Sequence, residues 1–507
     1  MPNPLHDALF APLATQDRPF LTLADGQTLT AGAFHAQVTR FAHGLRALGL
    51  APGDRLAVRA AKTPQMLALY GAAVMAGVVF LPLNTAYTPD ELDYFVSDCS
   101  AKLLLVDPDQ IDALTPLATR LNLHLESLGP GGSFDTLCDG FDTPFPVTDR
   151  TPDDLAALLY TSGTTGRSKG AMMSHQNLLS NAQTLVKLWQ FTPDDVLLHA
   201  LPIFHTHGLF VASNVVLLSG AQMIFLPKFD LDTVFAHLPQ ATTMMGVPTF
   251  YTRLLSDARL THKATAHMRL FISGSAPLLA ETHRDWSART GHAILERYGM
   301  TETNMLTSNP VRGARRPGTV GPPLPDVRLR ITDPETGADL PQGTTGMIEV
   351  QGPNVFQGYW NMPEKTAAEF RDGWFITGDL GLIDDQGYVS IVGRAKDLII
   401  SGGYNVYPKE VEQVLDEMPG VLESAVIGLP HPDLGEAVVA VLAAQGDGPD
   451  IAGIEVALAD RLARYKHPRA YITLPELPRN TMGKVQKAAL RQTYATHFAT
   501  MRSEQGG

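Results

Sequence analysis

At 507 residues the chain exceeds what a single hydrophobic core sustains, so at least two folded units are expected. Hydrophobic residues at 44% and charged residues at 18% describe a globular protein. A formal charge of −13 argues against a general nucleic-acid or anionic-membrane surface, so an anionic ligand has to be held by local cations.

Residues 33–50 carry Val38, Phe41, Ala42, Leu45 and Leu48 at helical spacing, stopped by Gly49 and Pro52-Gly53. Apolar runs of strand length then recur: Leu56-Ala57-Val58, VVFLPL (78–83), KLLLVD (102–107), LAALLY (155–160), VLLHALP (196–202), QMIFLP (222–227), TTMMGVP (242–248) and RLFISGS (269–275). Helical patterns lie between many of them, which predicts an α/β fold with parallel sheets buried on both faces. Several runs end in Gly, Ser, Thr or His, and ligands of such sheets collect at those carboxyl ends. Cys99 and Cys138 show no metal-like spacing and read as reduced thiols. The N-terminal MPNPLHDALFAP has no basic region ahead of an apolar core, and no run of about 18 apolar residues occurs, so the sequence predicts neither a signal peptide nor a membrane helix and a cytoplasmic protein.

Beyond about residue 310 the texture changes to Gly- and Pro-rich alternating strands, as expected of a small β subdomain closing the large domain. After GRAKDLIISGGYNVYP (393–408) a helix, two strands and a second helix form an α+β unit long enough to fold on its own. The expected division is 1–395 for the N-terminal domain and 396–507 for a mobile C-terminal domain.

The stretch YTSGTTGRSKG, Tyr160 to Gly170, concentrates hydroxyls (Thr161, Ser162, Thr164, Thr165), glycines (Gly163, Gly166) and cations (Arg167, Lys169). With a strand before it and Ser174 opening a helix after it, it reads as strand, loop and helix around a phosphate: glycines admit the anion to backbone N–H groups and lysine supplies a point charge. A flexible turn is the plainer alternative. It is not a Walker A loop, because Gly166 is followed by Arg-Ser-Lys. It resembles the phosphate signature of adenylate-forming enzymes, which include acyl-CoA synthetases, luciferases and peptide-synthetase adenylation domains.

Further stretches follow that family's order. In ERYGMTET (296–303), Tyr298 can lie against a purine, Thr301 can reach a phosphate and Glu302 can hold Mg²⁺; a capped helix start is the structural alternative. With SGSAP (273–277), the resemblance implies ATP contacts from Gly274, Ser275, Ala276, Glu296, Tyr298, Gly299 and Met300. In DGWFITGDLG (372–381), it implies that Asp379 binds ribose, that Arg394 in GRAKD is the second ribose contact, and that Lys396 is the domain hinge. In LPRNTMGKVQK (477–487), it implies that Lys484 is the catalytic lysine, acting with Thr301, Glu302 and His205. ATP, Mg²⁺ and CoA are then the expected cofactors and co-substrates. CoA contacts are expected from Ser401, Gly402 and Gly403 and from Arg464 and Lys466. A lysine acetyltransferase and deacetylase acting on Lys484 are expected partners by the same resemblance. With no carrier domain read after Lys484, a free-standing acyl-CoA synthetase is favoured over a peptide-synthetase module.

The choice of acid is expected to lie in a pocket floored by His205, Thr206, Ser273, Arg297, Gly299 and Met305. Arg297, with Arg253 nearby, predicts an anionic group on the substrate, since an arginine buried without a partner is costly and a guanidinium suits a carboxylate in bidentate geometry; pairing with a protein acid such as Glu296 is the alternative. FLPLNTAYTPDELDYF, LPIFHTHGLFVASNV, GVPTFYTRLL and ERYGMTETNM are similar to malonyl-CoA synthetases in particular, which implies malonate, with methylmalonate as a second acid and Thr206 and Met305 limiting room at the α-carbon. A ligase for another short, aromatic or fatty acid, a non-catalytic nucleotide sensor and a phosphotransferase releasing ADP are the rival readings.

Overall fold

The computed structural model describes residues 3–161, 168–446, 448–480 and 483–498. The apolar runs become strands of two buried, mainly parallel sheets. The first has six strands in the order His124–Ser127, Leu103–Val106, Arg55–Arg59, Val79–Pro82, Leu155–Thr161, Lys169–Ser174. The second has eight: Asn304–Ser308, Leu295–Met300, Leu270–Ser273, Thr243–Gly246, Val196–His199, Gln222–Phe225, Pro19–Thr22, Thr28–Thr30. Strands such as Leu103–Val106 and Leu270–Ser273 are buried at every residue, as strands covered by helices on both faces must be. The helix Pro64–Ala76 is apolar all round for the same reason: it lies between other elements with no face to solvent.

The expected β subdomain is an antiparallel sheet of Arg328–Thr332, Gly346–Gln351, Phe370–Arg371, Trp374–Ile383 and Val389–Arg394. A turn at Ala395–Asp397 follows, and Ile399–Ser401 already belongs to another sheet, so the expected division at 395/396 falls within that turn. The last sheet pairs Gly435–Ala444 with Val421–His431, Ile399–Ser401 and Ala470–Leu474, and it packs against helices Pro408–Leu415 and Ile451–Arg461 through an apolar core of its own.

Two local expectations need correction. The phosphate stretch does not join strand to helix: Leu155–Thr161 returns as the antiparallel strand Lys169–Ser174, and only then does Ser174 cap helix His175–Trp189. The helix N-terminus therefore lies a strand's length beyond Lys169. Glu296 to Met300 does not start a capped helix but ends the strand Leu295–Met300, which reverses at residues 301–303 into Asn304–Ser308. Past the strand Val196–His199, a π-helix over His207–Ser213 continues as Asn214–Ser219. Among the described residues no helix is long and apolar enough to cross a membrane.

Candidate active site

The carboxyl ends of Val196–His199, Thr243–Gly246, Leu270–Ser273 and Leu295–Met300 converge on one cleft, bordered by the hairpin strand Lys169–Ser174 and the C-terminal domain. Parallel register makes this unavoidable: four strands that run the same way deliver their following loops to one edge.

At the phosphate end, Ser162, Gly163, Thr164, Thr165 and Gly166 lie outside the described residues. Thr161 and Lys169 face each other as a cross-strand pair at the base of that hairpin. The Lys169 ammonium lies 4.2 Å from the centroid of the Tyr359 ring and donates to Glu369 Oε1 at 2.9 Å. Lys365, one helical turn before Glu369, reaches the same oxygen at 2.9 Å. The Tyr359 hydroxyl lies 2.6 Å from Glu369 Oε2 and 3.0 Å from Glu302 Oε1. Burial raises the Glu302 carboxyl above the ordinary range, whereas for Glu369 the upward push of burial is outweighed by Tyr359 and the two lysines, and the net shift is downward. Among the described residues no cluster of three or more His, Cys, Asp or Glu side chains could hold a metal ion by itself. One buried carboxylate does suit Mg²⁺, which keeps waters and takes its remaining oxygens from substrate phosphates.

At the nucleoside end, two separately predicted residues meet. The Tyr298 hydroxyl donates to Asp379 Oδ2, and Arg394, the cross-strand partner of Asp379, donates from Nε to Oδ1 at 2.7 Å. The Asp379 backbone N–H is fixed by the Thr377 hydroxyl at 3.0 Å. Gly299 sits where a Cβ would fall 1.8 Å from the Asn304 carbonyl oxygen, so glycine is required for the hairpin to close beside Met300 and Thr301. Ser275, between Gly274 and Ala276, has φ +71°, and its hydroxyl is 3.1 Å from His207 Nδ1. Glu296 does not belong to this group. Its carboxylate pairs with His283 at 3.1 Å, away from the neighbouring Arg297, because consecutive residues of a strand face opposite ways.

The end expected to take the acid is built around Arg297. The side chain is buried, and its Nε and Nη2 have no hydrogen-bond partner among the described residues. The guanidinium takes up the space beside Gly274, where a Cβ would come within 2.3 Å of Cζ and Nη1. Burial pulls its pKa down from 12.5 to about 9, opposed only by Tyr251, itself hydrogen-bonded to the Ile272 carbonyl at 2.6 Å. Burial, then the charges of Lys484 and Arg297, hold His205 down at about 3, and His207 is likewise kept neutral. The His207 Nε2 and the Ser273 hydroxyl are also buried without partners among the described residues. Thr206 donates to Asn304 Oδ1 at 2.7 Å, and Met305 is buried with its backbone clamped by Asn181 and Asn354. Arg253 must be set apart from this lining: it is exposed on helix Pro248–Leu255.

Lys484 approaches from the C-terminal domain. Gly483, with φ +74°, sets the lysine turn about one van der Waals contact from Thr249, where a Cβ would lie 3.4 Å from its hydroxyl. The lysine reaches solvent at the cleft mouth, yet protein surrounds it closely enough for burial and Arg394 to lower its pKa, with Asp379 and Glu302 opposing and Arg297 adding to the fall. Three predicted regions, those of Glu302, Asp379 and Arg297, thus act electrostatically on one lysine. Lys396 is exposed in the interdomain turn, where an Asp397–Arg491 ion pair of 2.8 Å ties the turn to the last helix. Ser401 ends a strand whose hairpin turn is Gly402-Gly403, both with positive φ (+58° and +82°). Next to that turn Tyr404 stacks on Tyr465, which lies between Arg464 and Lys466; Lys466 is paired with Glu410 at 2.8 Å.

Sequence reasoning missed Tyr359, Glu369, His207 and Asn304. Only His207 left a local signal, its spacing of two from His205; the others become functional candidates through partners distant in sequence.

Residues 11–360 match the AMP-binding enzyme family, and 410–484 match the AMP-binding enzyme C-terminal domain. The chain is 37% identical to the feruloyl-CoA synthase of an Amycolatopsis species, covering 97% of this chain and 98% of that protein. It is 35% identical to the malonate–CoA ligase of Arabidopsis thaliana over 88% of this chain and 79% of that protein. Among solved structures, ATP-bound MatB from Rhodopseudomonas palustris superposes with a TM-score of 0.96 at 57% identity, covering 98% of this chain and 100% of MatB. The apo form of the same protein, with the same identity and coverage, gives 0.85. The chain belongs to the AMP-binding enzyme family.

Proposed function

We propose that the chain is an AMP-forming acyl-CoA synthetase whose acid is malonate, with methylmalonate as a second substrate. The observation that carries the choice of acid is Arg297: a buried guanidinium with two unpartnered nitrogens, beside neutral histidines and the unpartnered Ser273 hydroxyl. A second carboxylate on the substrate supplies the missing counter-charge and accepts those donors. An aromatic acid such as ferulate leaves the guanidinium unpaired, which is the penalty that lets polar pockets reject isosteres. The malonate–CoA ligase relatives and the similarity to MatB support the same reading.

In the first half-reaction a malonate oxygen bonds to the α-phosphorus of ATP while the bond to the β-phosphate oxygen breaks, giving malonyl-AMP and pyrophosphate. Lys484 bridges the attacking carboxylate and the α-phosphate, Lys169 and the stretch ahead of it hold the outer phosphates, and Asp379 and Arg394 hold the ribose. Mg²⁺ held through Glu302 supplies neutralisation of phosphate charge. No protein nucleophile is required; positioning and charge stabilisation carry the step. In the second, the small domain turns about Lys396, Lys484 leaves, and the CoA thiol attacks the acyl carbon to expel AMP. The turn Ser401–Gly403 with Arg464 is assigned to CoA, and Lys466 joins it by leaving Glu410. The domains are assigned as 1–395 and 396–507 and the compartment as the cytoplasm. Acylation of Lys484 by an acetyltransferase acts on the state in which the lysine has left the cleft.

Products separate this reading from a phosphotransferase or a sensor. Malonate, ATP and CoA should give AMP, pyrophosphate and malonyl-CoA in equal amounts; ADP, or no turnover with any acid, contradicts it.

A further inference from the structure

Lys169 is set beside the outer phosphates in the adenylation reading, yet its ammonium is already engaged by an acid 200 positions away, Glu369. Three features make this contact one that is built to exchange. Glu369 has a second lysine, Lys365, at the same 2.9 Å on the same oxygen, so its charge stays neutralised when Lys169 turns away. The face of Tyr359, 4.2 Å from the Lys169 ammonium, offers a cation a surface along which to shift without losing all of its stabilisation. Finally, Tyr359 has a single hydroxyl proton but two carboxylates within reach, Glu369 at 2.6 Å and Glu302 at 3.0 Å, so whatever happens at Glu369 is passed to the residue that faces Mg²⁺.

We propose that Glu369 is a positioning residue that stands in for the triphosphate: its carboxylate holds Lys169 until MgATP takes the lysine over, and it takes the lysine back as pyrophosphate departs. It thereby competes with both anions and hastens product release. The assignment rests on the adenylation reading, which places the outer phosphates at Lys169. It makes a prediction opposite in sign to a structural role. A merely structural carboxylate, once removed, leaves Lys169 disordered and weakens phosphate binding. A competing one, once removed, strengthens it.

The test is direct calorimetric titration of the full chain with MgATP and, separately, with magnesium pyrophosphate. Glu369→Gln should lower Kd for both about 3- to 10-fold, the scale of one partly screened charge contact, and Glu369→Asp should return both towards wild type. Lys365→Met leaves Lys169 as the only lysine on Glu369 and should weaken both. Unchanged or weaker pyrophosphate binding in Glu369→Gln would overturn the proposal. Should that variant not fold, unchanged or tighter binding in Lys365→Met would do so. No acid substrate enters these titrations. Failure to turn over malonate would therefore sink the malonate assignment and leave this result standing.

Discussion

Arg297 shows how one side chain links stability to specificity. A guanidinium enclosed with two unpartnered nitrogens destabilises the unliganded fold, because burial disfavours the charged form; its pKa of about 9 expresses that cost. Replacing it by an apolar chain of similar length removes the cost. Arg297→Met should therefore stabilise the unliganded protein by about 1–2 kcal/mol, as uncompensated buried charges do when replaced. The same variant should lose the thermal shift that malonate gives the wild type. Differential scanning calorimetry with and without malonate reads both, and a destabilised variant that keeps its malonate shift would contradict the assignment. Arg297 stands out in the sequence because an arginine beside a nucleotide motif is chemically conspicuous. Arg253 was conspicuous too, but one helical face decides exposure, and a single position without its neighbours does not reveal the face. Tyr359 and Glu369 were not legible, since their significance is created by Glu302 and Lys169, 57 and 200 positions away.

Elements, not single residues, bring the acyl side chains to their places. His199 ends the strand Val196–His199 and its Nε2 contacts the Gly208 carbonyl at 2.9 Å, so the π-helix His207–Ser213 is hung from the sheet edge at its first turn. Insertion of an extra residue per turn re-aims side chains, and here it directly follows His205 and Thr206. The packing tolerates no bulk there: a Cβ on Gly208 would fall 2.1 Å from the Pro202 carbonyl oxygen. Gly208→Ala should cost about 2–4 kcal/mol in urea unfolding because backbone must move, and it should raise KM for malonate more than for ATP. Equal effects on both substrates would mean that the helix supports the whole cleft. Strands were the most legible elements, because parallel burial writes itself as unbroken apolar runs. The hairpin after Thr161 and the strand through Tyr298 were misread where glycine and hydroxyl residues, chosen for chemistry, interrupt that pattern.

For the whole molecule, Gly483 lies against Thr249 and the charges of Arg394, Asp379 and Glu302 act on Lys484, so the small domain closes on the cleft, and the chain superposes better on ATP-bound than on apo MatB. Lys484→Ala should lower the rate of malonyl-AMP formation by about 10²- to 10³-fold, the effect of losing one preorganised donor. Thioester formation from supplied malonyl-AMP should be nearly unchanged, because the lysine has then left the cleft. Equal losses in single-turnover measurements of the two steps would refute a lysine that serves only the first. Domain number and motif order were legible in the sequence; which face of the small domain meets the cleft was not, since that depends on packing between surfaces far apart in the chain. The choice of acid rests on the match between a dicarboxylate and a buried cation. Its most direct test is kcat/KM for malonate, methylmalonate, succinate, acetate and ferulate, measured by pyrophosphate release in wild type and Arg297→Ala. Malonate should be the best wild-type substrate and lose about 10²- to 10³-fold in the variant, the cost of removing one partner of a buried charge pair, while acetate changes little. Acetate or ferulate as the best wild-type substrate, or a malonate rate indifferent to Arg297, would contradict it.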